Sequence, residues 1–160
     1  GCNALHLATL GQCAFMLPYA EEVCHTLARS HKLYLVTNAV ASVQRGRLAK
    51  SPIVPDITAA FISEEAGAAK PSTAYFDYVF ACIDGITKEN CIVIGDSLSS
   101  DIQGGANAGL DTCWFNPNHA ENPGKVIPTY EIASLEELYP LVMVQEELAN
   151  VGLKNRRHQC

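Results

Sequence analysis

This chain is short of positive charge and has no long apolar run, and each shortage narrows what it can be. Eleven Lys and Arg face seventeen Asp and Glu over 160 residues, a formal net charge of −6. A nucleic-acid binder needs a net basic face to neutralise phosphates, so that class is excluded. Apolar stretches are broken by Cys, His or Gly well short of the ~18 residues that a bilayer span requires, which excludes a membrane-spanning helix. No basic segment followed by an apolar run opens the chain, so no secretory leader is legible. No CxxC pair occurs among the seven cysteines, and their odd number argues against both a disulfide framework and a zinc ribbon. Cys82, Cys91 and Cys113 lie in apolar segments and read as small buried hydrophobes, and the pattern suits a reducing, cytoplasmic setting. The aspartates stand at 56, 77, 84, 96, 101 and 111, so no two are separated by a single residue and the chain has no DxD.

What is present is enough apolar material for one buried core. With 48% hydrophobic and 18% charged residues the chain is not a disordered one. Ala20 to Ser30 places Val23, Leu27 and Ala28 on one face, with Glu21 and Glu22 in the first turn, and predicts an amphipathic helix. Leu33 to Val36 is a short apolar strand ending at Thr37-Asn38, and helical character returns over Ala39 to Lys50. Ala59 to Ile62 is a second strand. A helix over Ala74 to Ile83 follows, with Phe76, Val79, Phe80 and Ile83 as its buried stripe. Cys91 to Ile94 is a third strand closed by Gly95-Asp96, Ser100 to Ala108 a helix, and Thr112 to Phe115 a fourth strand. Tyr130 to Ala133 reads as a short edge strand. Ser134 then caps a helix expected to run to about Ala149 with a kink at Pro140. Four-residue apolar strands alternating with helices of about ten residues predict an α/β fold with a parallel sheet buried on both faces.

In such sheets ligands bind beyond the carboxyl ends of the strands. The first strand ends in Thr37-Asn38, the second is followed by Lys70-Pro71, and the third ends in Gly95-Asp96-Ser97 with Asp101 five residues after Asp96. Asp96 and Asp101 are hard oxygen donors suited to Mg²⁺. Taken singly, each has a plain alternative. Asp96 would cap the next helix and Asp101 would be a solvated first-turn acid. Lys70 would be a surface lysine, and Thr37-Asn38 a helix cap. The small residues Gly104 to Gly109 lack GxGxxG spacing and read as packing of a helix on the sheet, not as a dinucleotide fingerprint.

In order and spacing, a strand ending in Thr-Asn, a Lys-Pro before a helix and a strand ending in GDSxxxD resemble three signature motifs of the haloacid dehalogenase-like (HAD) hydrolase superfamily. Ile62 to Pro71 (ISEEAGAAKP), Gly104 to Gly109 (GGANAG) and Thr112 to Asn116 extend the resemblance over about residues 17 to 140, and these flanks look closest to the pyrimidine 5′-nucleotidase group. The resemblance implies a three-layer, Rossmann-like HAD core and a Mg²⁺-dependent hydrolase of phosphate monoesters. Its substrate would be a nucleoside 5′-monophosphate or similar small phosphorylated metabolite. It implies that Thr37 and Asn38 bind the phosphoryl group and that Lys70 neutralises it and positions the nucleophile. Asp96 would hold the metal, and Asp101 would support it directly or through water.

The family's nucleophile comes from a DxDxT motif on the central strand, and this chain has none. Gly1 stands where a Met would open a gene product. The expectation is therefore a C-terminal portion: residues 1–16 as a remnant of a helical cap, 17–150 as the core without its first central strand, and 151–160 as a loose polar tail. Without that strand, the edges of the strands ending at Thr37 and Asp96 would face a gap, and the isolated chain is expected to be poorly soluble and inactive. The alternatives are a HAD-like binding or regulatory module without catalysis and, less favoured, a receiver-like phosphoacceptor. Receivers place their phosphorylated Asp ahead of the Thr and Lys, whereas here Thr37 and Lys70 precede Asp96.

Overall fold

The structure is a computed structural model and describes residues 19–143. The proposed cap remnant, the end of the helix expected to reach Ala149 (residues 144–149), and the tail lie outside the described residues. The first helix, α1 (Ala20–Ala28), buries Ala20, Val23, Cys24 and Leu27 at helical spacing. Strand β1 (Leu33–Thr37) follows, with all five residues buried. Next come α2 (Ala41–Ala49), β2 (Ile57–Ile62), α3 (Ser63–Ala66) and α4 (Thr73–Cys82), whose start is capped by the Ser72 hydroxyl accepting from the Ala74 N–H at 3.2 Å. Strand β3 (Ile92–Gly95) leads through a wide turn, Leu98–Ile102, into α5 (Gln103–Asn107). Then follow β4 (Asp111–Phe115), β5 (Tyr130–Ile132), a 3₁₀ turn over Leu135–Leu138 and α6 (Tyr139–Val142).

Among the described residues all strand pairing is parallel, as the apolar runs predicted. β1 pairs with β2, setting Thr37 opposite Ile62. β4 lies between β3 and β5. Among the described residues β1 and β3 are not hydrogen-bonded to each other, so the strands form two sheets. The two sheets nevertheless share both cores. Leu33 and Leu35 of β1 join Ile92 and Ile94 of β3 under α1, while Tyr34 and Val36 join Val93 under α4. Alternate residues of a strand point to opposite faces, so these memberships place the two sheets side by side in one layer. β1 crosses to β2 through α2 on the face of Leu33, since Leu48 belongs to that core. β3 crosses to β4 through α5 on the opposite face, where Gly105 lies against Val93. Winding therefore reverses between β1 and β3, and the carboxyl ends of these strands flank the switch point where open α/β sheets bind ligands.

Four expectations needed correction. The helix expected from Ser100 starts earlier, as a wide turn in which the Ile102 N–H reaches back five residues to the Ser97 carbonyl at 3.1 Å. Pro140 does not kink a helix; it stands in the first turn of α6, where no backbone donor is needed. Ser134 does open the segment, through a reciprocal cap with Glu137, but the first turn is 3₁₀. Cys82 is exposed at the outer end of α4, whereas Cys24, Cys91 and Cys113 are buried.

Burial pushes the thiols of Cys24, Cys91 and Cys113 up to about 12, with Asp56, Asp111 and Glu137 respectively adding to the shift. Because the folded values lie above the unfolded one near 9, these thiols favour the folded state below pH 9. That contribution is lost as pH climbs from 9 towards 12. With Cys2, Cys13 and Cys160 replaced by Ser, an aromatic disulfide reagent at pH 8 is expected to titrate one thiol quickly, Cys82. The other three should react only at the rate of unfolding, and fast labelling of more than one would contradict the burial.

The glycines of α5 are required by packing. A β-carbon on Gly105 would lie 2.7 Å from Thr112 Cγ2 and 3.3 Å from Val93, whereas one on Gly46 of α2 would meet nothing within 4 Å. Gly105→Ala is expected to destabilise the chain by about 1–3 kcal/mol through overpacking. Gly46→Ala should stabilise it by up to about 1 kcal/mol through helix propensity. Urea midpoints of the two variants, moving in opposite directions, check this.

Candidate functional site

The site is built from strand ends that loop chemistry turns towards one another. β1 delivers Thr37, itself buried, at the mouth of the seam. Its backbone N–H donates to the Tyr75 hydroxyl at 3.0 Å, and that hydroxyl donates to the Phe61 carbonyl. Tyr75 thus ties the ends of β1 and β2 to α4, and burial is the main cause raising its pKa. Asn38 does not cap a helix: the residue before α2 is Val40, which makes no side-chain cap. Instead its carboxamide closes a ring with the backbone of Lys70, Nδ2 donating to the Lys70 carbonyl and Oδ1 accepting from the Lys70 N–H, both at 2.9 Å. Ser63 adds a further brace, accepting from the Ala39 N–H at 2.9 Å and donating to the Ala39 carbonyl at 3.3 Å.

That clamp aims Lys70 inward. Its ammonium donates to the Val36 carbonyl at 3.1 Å and to Asp101 Oδ1, with the lysine and aspartate side chains 4% and 3% exposed. The Lys70–Pro71 peptide bond is cis. On the other side, the wide turn after β3 swings Asp101 into the interior, where Oδ2 accepts from the Ser97 N–H at 3.2 Å. Ser97, not Asp96, caps this turn, accepting from the Ser100 N–H at 3.2 Å. Asp96 is exposed beside it, and its carbonyl accepts from Trp114 Nε1 at 3.1 Å. Two glycines make the approach possible. A β-carbon on Gly95 would collide with the Asp101 side chain, and one on Gly104 would lie 3.2 Å from the Pro71 backbone. Lys70 and Asp101 are therefore neither surface nor first-turn solvated groups, and the plain alternatives for Asp96, Asn38, Lys70 and Asp101 fail on geometry.

The structure brings Asn38, Lys70 and Asp101 into one bonded set spanning the seam, with Thr37 and Asp96 at its two sides. Hard-oxygen chemistry suits Asp96, whose carboxylate is exposed at a strand's carboxyl end. Both oxygens of Asp101 are engaged by Lys70 and Ser97, which suits support of the loop from behind. Among the described residues no three His, Cys, Asp or Glu converge. Mg²⁺ needs no such cage, because it takes one or two carboxylates and completes its shell with water and phosphate oxygens. Three residues were missed in sequence: Tyr75, Ser63 and Trp114. Only Tyr75 left a signal, since its position one residue before Phe76 and four before Val79 puts it on the buried stripe, where a phenol needs a partner.

The fold has counterparts among known proteins. Residues 67–137 match the profile of the HAD-hydrolase-like family. The chain is 43% identical over 130 residues to the HAD-hydrolase YfnB of Bacillus subtilis (strain 168), covering 81% of this chain and 55% of that protein. It is 45% identical over 134 residues to the pyrimidine 5′-nucleotidase PynA of Streptococcus pneumoniae, covering 83% and 55%. The crystal structure of YfnB bound to magnesium superposes with a TM-score of 0.77 at 44% identity, covering 80% of this chain and 56% of that one. The fold is a parallel α/β layer wound in opposite senses on the two sides of a switch point. This chain belongs to the HAD-like hydrolase family. It spans about half the length of the relatives named here.

Breaking the buried pair from either side is expected to cost about 3–5 kcal/mol, because the group left behind keeps its charge and loses its partner. Lys70→Met and Asp101→Leu should each lower the urea midpoint strongly, and the double variant should lose less than their sum. A strictly additive cycle would mean that the two groups do not interact.

Proposed function

We propose that this chain carries the phosphate- and metal-handling half of a phosphomonoesterase that acts on a nucleoside 5′-monophosphate or similar small phosphorylated metabolite, in the cytoplasm. The observation that carries the reading is the buried Lys70–Asp101 pair at the switch point, with Asp96 exposed beside it. The naming of two relatives as pyrimidine 5′-nucleotidases supports the substrate class. In chain terms the reading corresponds to a core over 17–150, with 1–16 belonging to a cap and 151–160 to a tail.

Each residue has a physical task. Lys70 has two of its three N–H directions committed to Val36 and Asp101. The third is left for a phosphoryl oxygen, so the ammonium offsets charge that develops during transfer. Asp101 holds that ammonium in register and fastens the turn bearing Asp96. Asp96 would ligate Mg²⁺, which when bound neutralises phosphate oxygens. Asn38 acts on Lys70 through its backbone clamp, so its side chain positions the lysine and leaves the Thr37 hydroxyl as a donor to phosphate. The attacking carboxylate is not among these residues, and the reading requires it to come from a separate segment carrying a DxDxT.

The test joins this chain to the part of the B. subtilis relative that has no counterpart in it and measures inorganic phosphate released from UMP and CMP. The hybrid is expected to show Mg²⁺-dependent turnover, and the 160-residue chain alone none. Asp96→Asn and Lys70→Met should each reduce kcat of the hybrid by about 10²–10³-fold, the usual loss for one transition-state donor. A folded hybrid without turnover, or one indifferent to Asp96→Asn, would overturn the proposal.

A further inference from the structure

Away from the bonded set, one buried polar side chain has no hydrogen-bond partner among the described residues. Gln44 is 0% exposed, and neither Oε1 nor Nε2 has a hydrogen-bond partner among the described residues. A carboxamide stripped of water and left unpaired is a cost that native structures rarely carry, and Leu or Met would fill similar space without it. Gln44 lies one turn into α2, the helix that starts just beyond Asn38, and its own N–H is spent on the Val40 carbonyl at 3.0 Å. Four residues on, Leu48 shares its face and packs in the core with Leu33, Leu35 and Ile53. The idle carboxamide therefore lies on the sheet-facing side of α2, at the site end of the helix.

A second observation is the seam itself. β1 pairs with β2 and β3 with β4, and no ladder joins β1 to β3, although their side chains pack in common cores. A third is length: nearly half of each named relative has no counterpart in this chain. The same molecule also shows what a carboxamide does at this end of the sheet. Asn38 grips the N–H and C=O of one backbone residue, Lys70, in a two-bond ring.

We propose that Gln44 is a positioning residue whose carboxamide grips, in the same way, the backbone of an extended segment entering the seam between β1 and β3, from the part of the protein that the relatives have and this chain does not. The inference rests on the reading given under Proposed function, in which that segment bears the attacking carboxylate. Nε2 donates to a backbone carbonyl of the segment and Oε1 accepts a backbone N–H. Both buried atoms are then satisfied, and the reactive loop is held relative to Lys70 and Asp96.

The test supplies the unmatched part of the B. subtilis relative as a separate chain and titrates it calorimetrically into this 160-residue chain, as wild type and as Gln44→Leu. Binding to wild type is expected, at least tenfold weaker for Gln44→Leu. The uncombined Gln44→Leu chain should melt at the same temperature as wild type or higher, because an idle polar group has been removed. In the covalent hybrid, Gln44→Leu should lower kcat at least tenfold and leave KM for UMP within twofold. Equal affinity for both forms would overturn the proposal, as would a fall in melting temperature of the uncombined variant as large as that of Leu48→Ala. A dimer of the wild-type chain alone that Gln44→Leu dissolves would also overturn it, by naming a second copy as the occupant. Gln44-dependent binding without phosphate release would sink the phosphomonoesterase reading and leave the role of Gln44 standing.

Discussion

An ammonium and a carboxylate that have both left water must stay together, and in this protein Lys70 and Asp101 do so across the seam between two sheets. Much of the local geometry serves that contact. Asn38 fastens the lysine's backbone, and the wide turn after β3 rotates Asp101 inward. Gly95 is bare because the carboxylate occupies the space of its β-carbon, and Gly104 because the Pro71 backbone does. Wide turns of this kind are rare and recur at functional sites, where one extra residue re-aims a side chain. Here the re-aimed side chain is Asp101.

The seam explains why these residues meet at all. β1 and β3 are buried on both faces, and the helices that leave them cross on opposite sides of the layer. Where the winding reverses, the helices diverge to opposite faces, so loops from both halves converge at the strand ends. Two carboxamides lie on the β1 side of the seam. Asn38 is satisfied within the described residues by Lys70, and Gln44 is not. The two carboxamides stand six residues apart, one paired in a two-bond ring and the other with no partner among the described residues.

Much of the fold was legible because strands buried on both faces must be apolar throughout, and Leu33 to Val36 and Cys91 to Ile94 are. Thr37, Lys70 and Asp96 stood out as polar residues at the ends of such runs. The exposure of Cys82 was not legible, because α4 buries Tyr75, Phe76 and Val79 and turns Cys82 outward. Nor was the harmless placement of Pro140, which depends on α6 beginning at Tyr139. Both outcomes turn on where a helix starts or which way it faces, and neighbours decide that.

By itself the sequence determined the α/β alternation, the parallel pairing and the residues at the strand ends, since these follow from apolar period and local turn chemistry. It also determined that no DxD is present. Only the tertiary structure decided that Asp101 is a buried partner of Lys70, that Asn38 is a clamp, that Tyr75 bridges two strand ends and that Gln44 has no partner among the described residues. Each of these facts joins positions 14 or more residues apart, or rests on the absence of such a joining. Pairings at that distance are set by how the layers stack, and no local spacing encodes them.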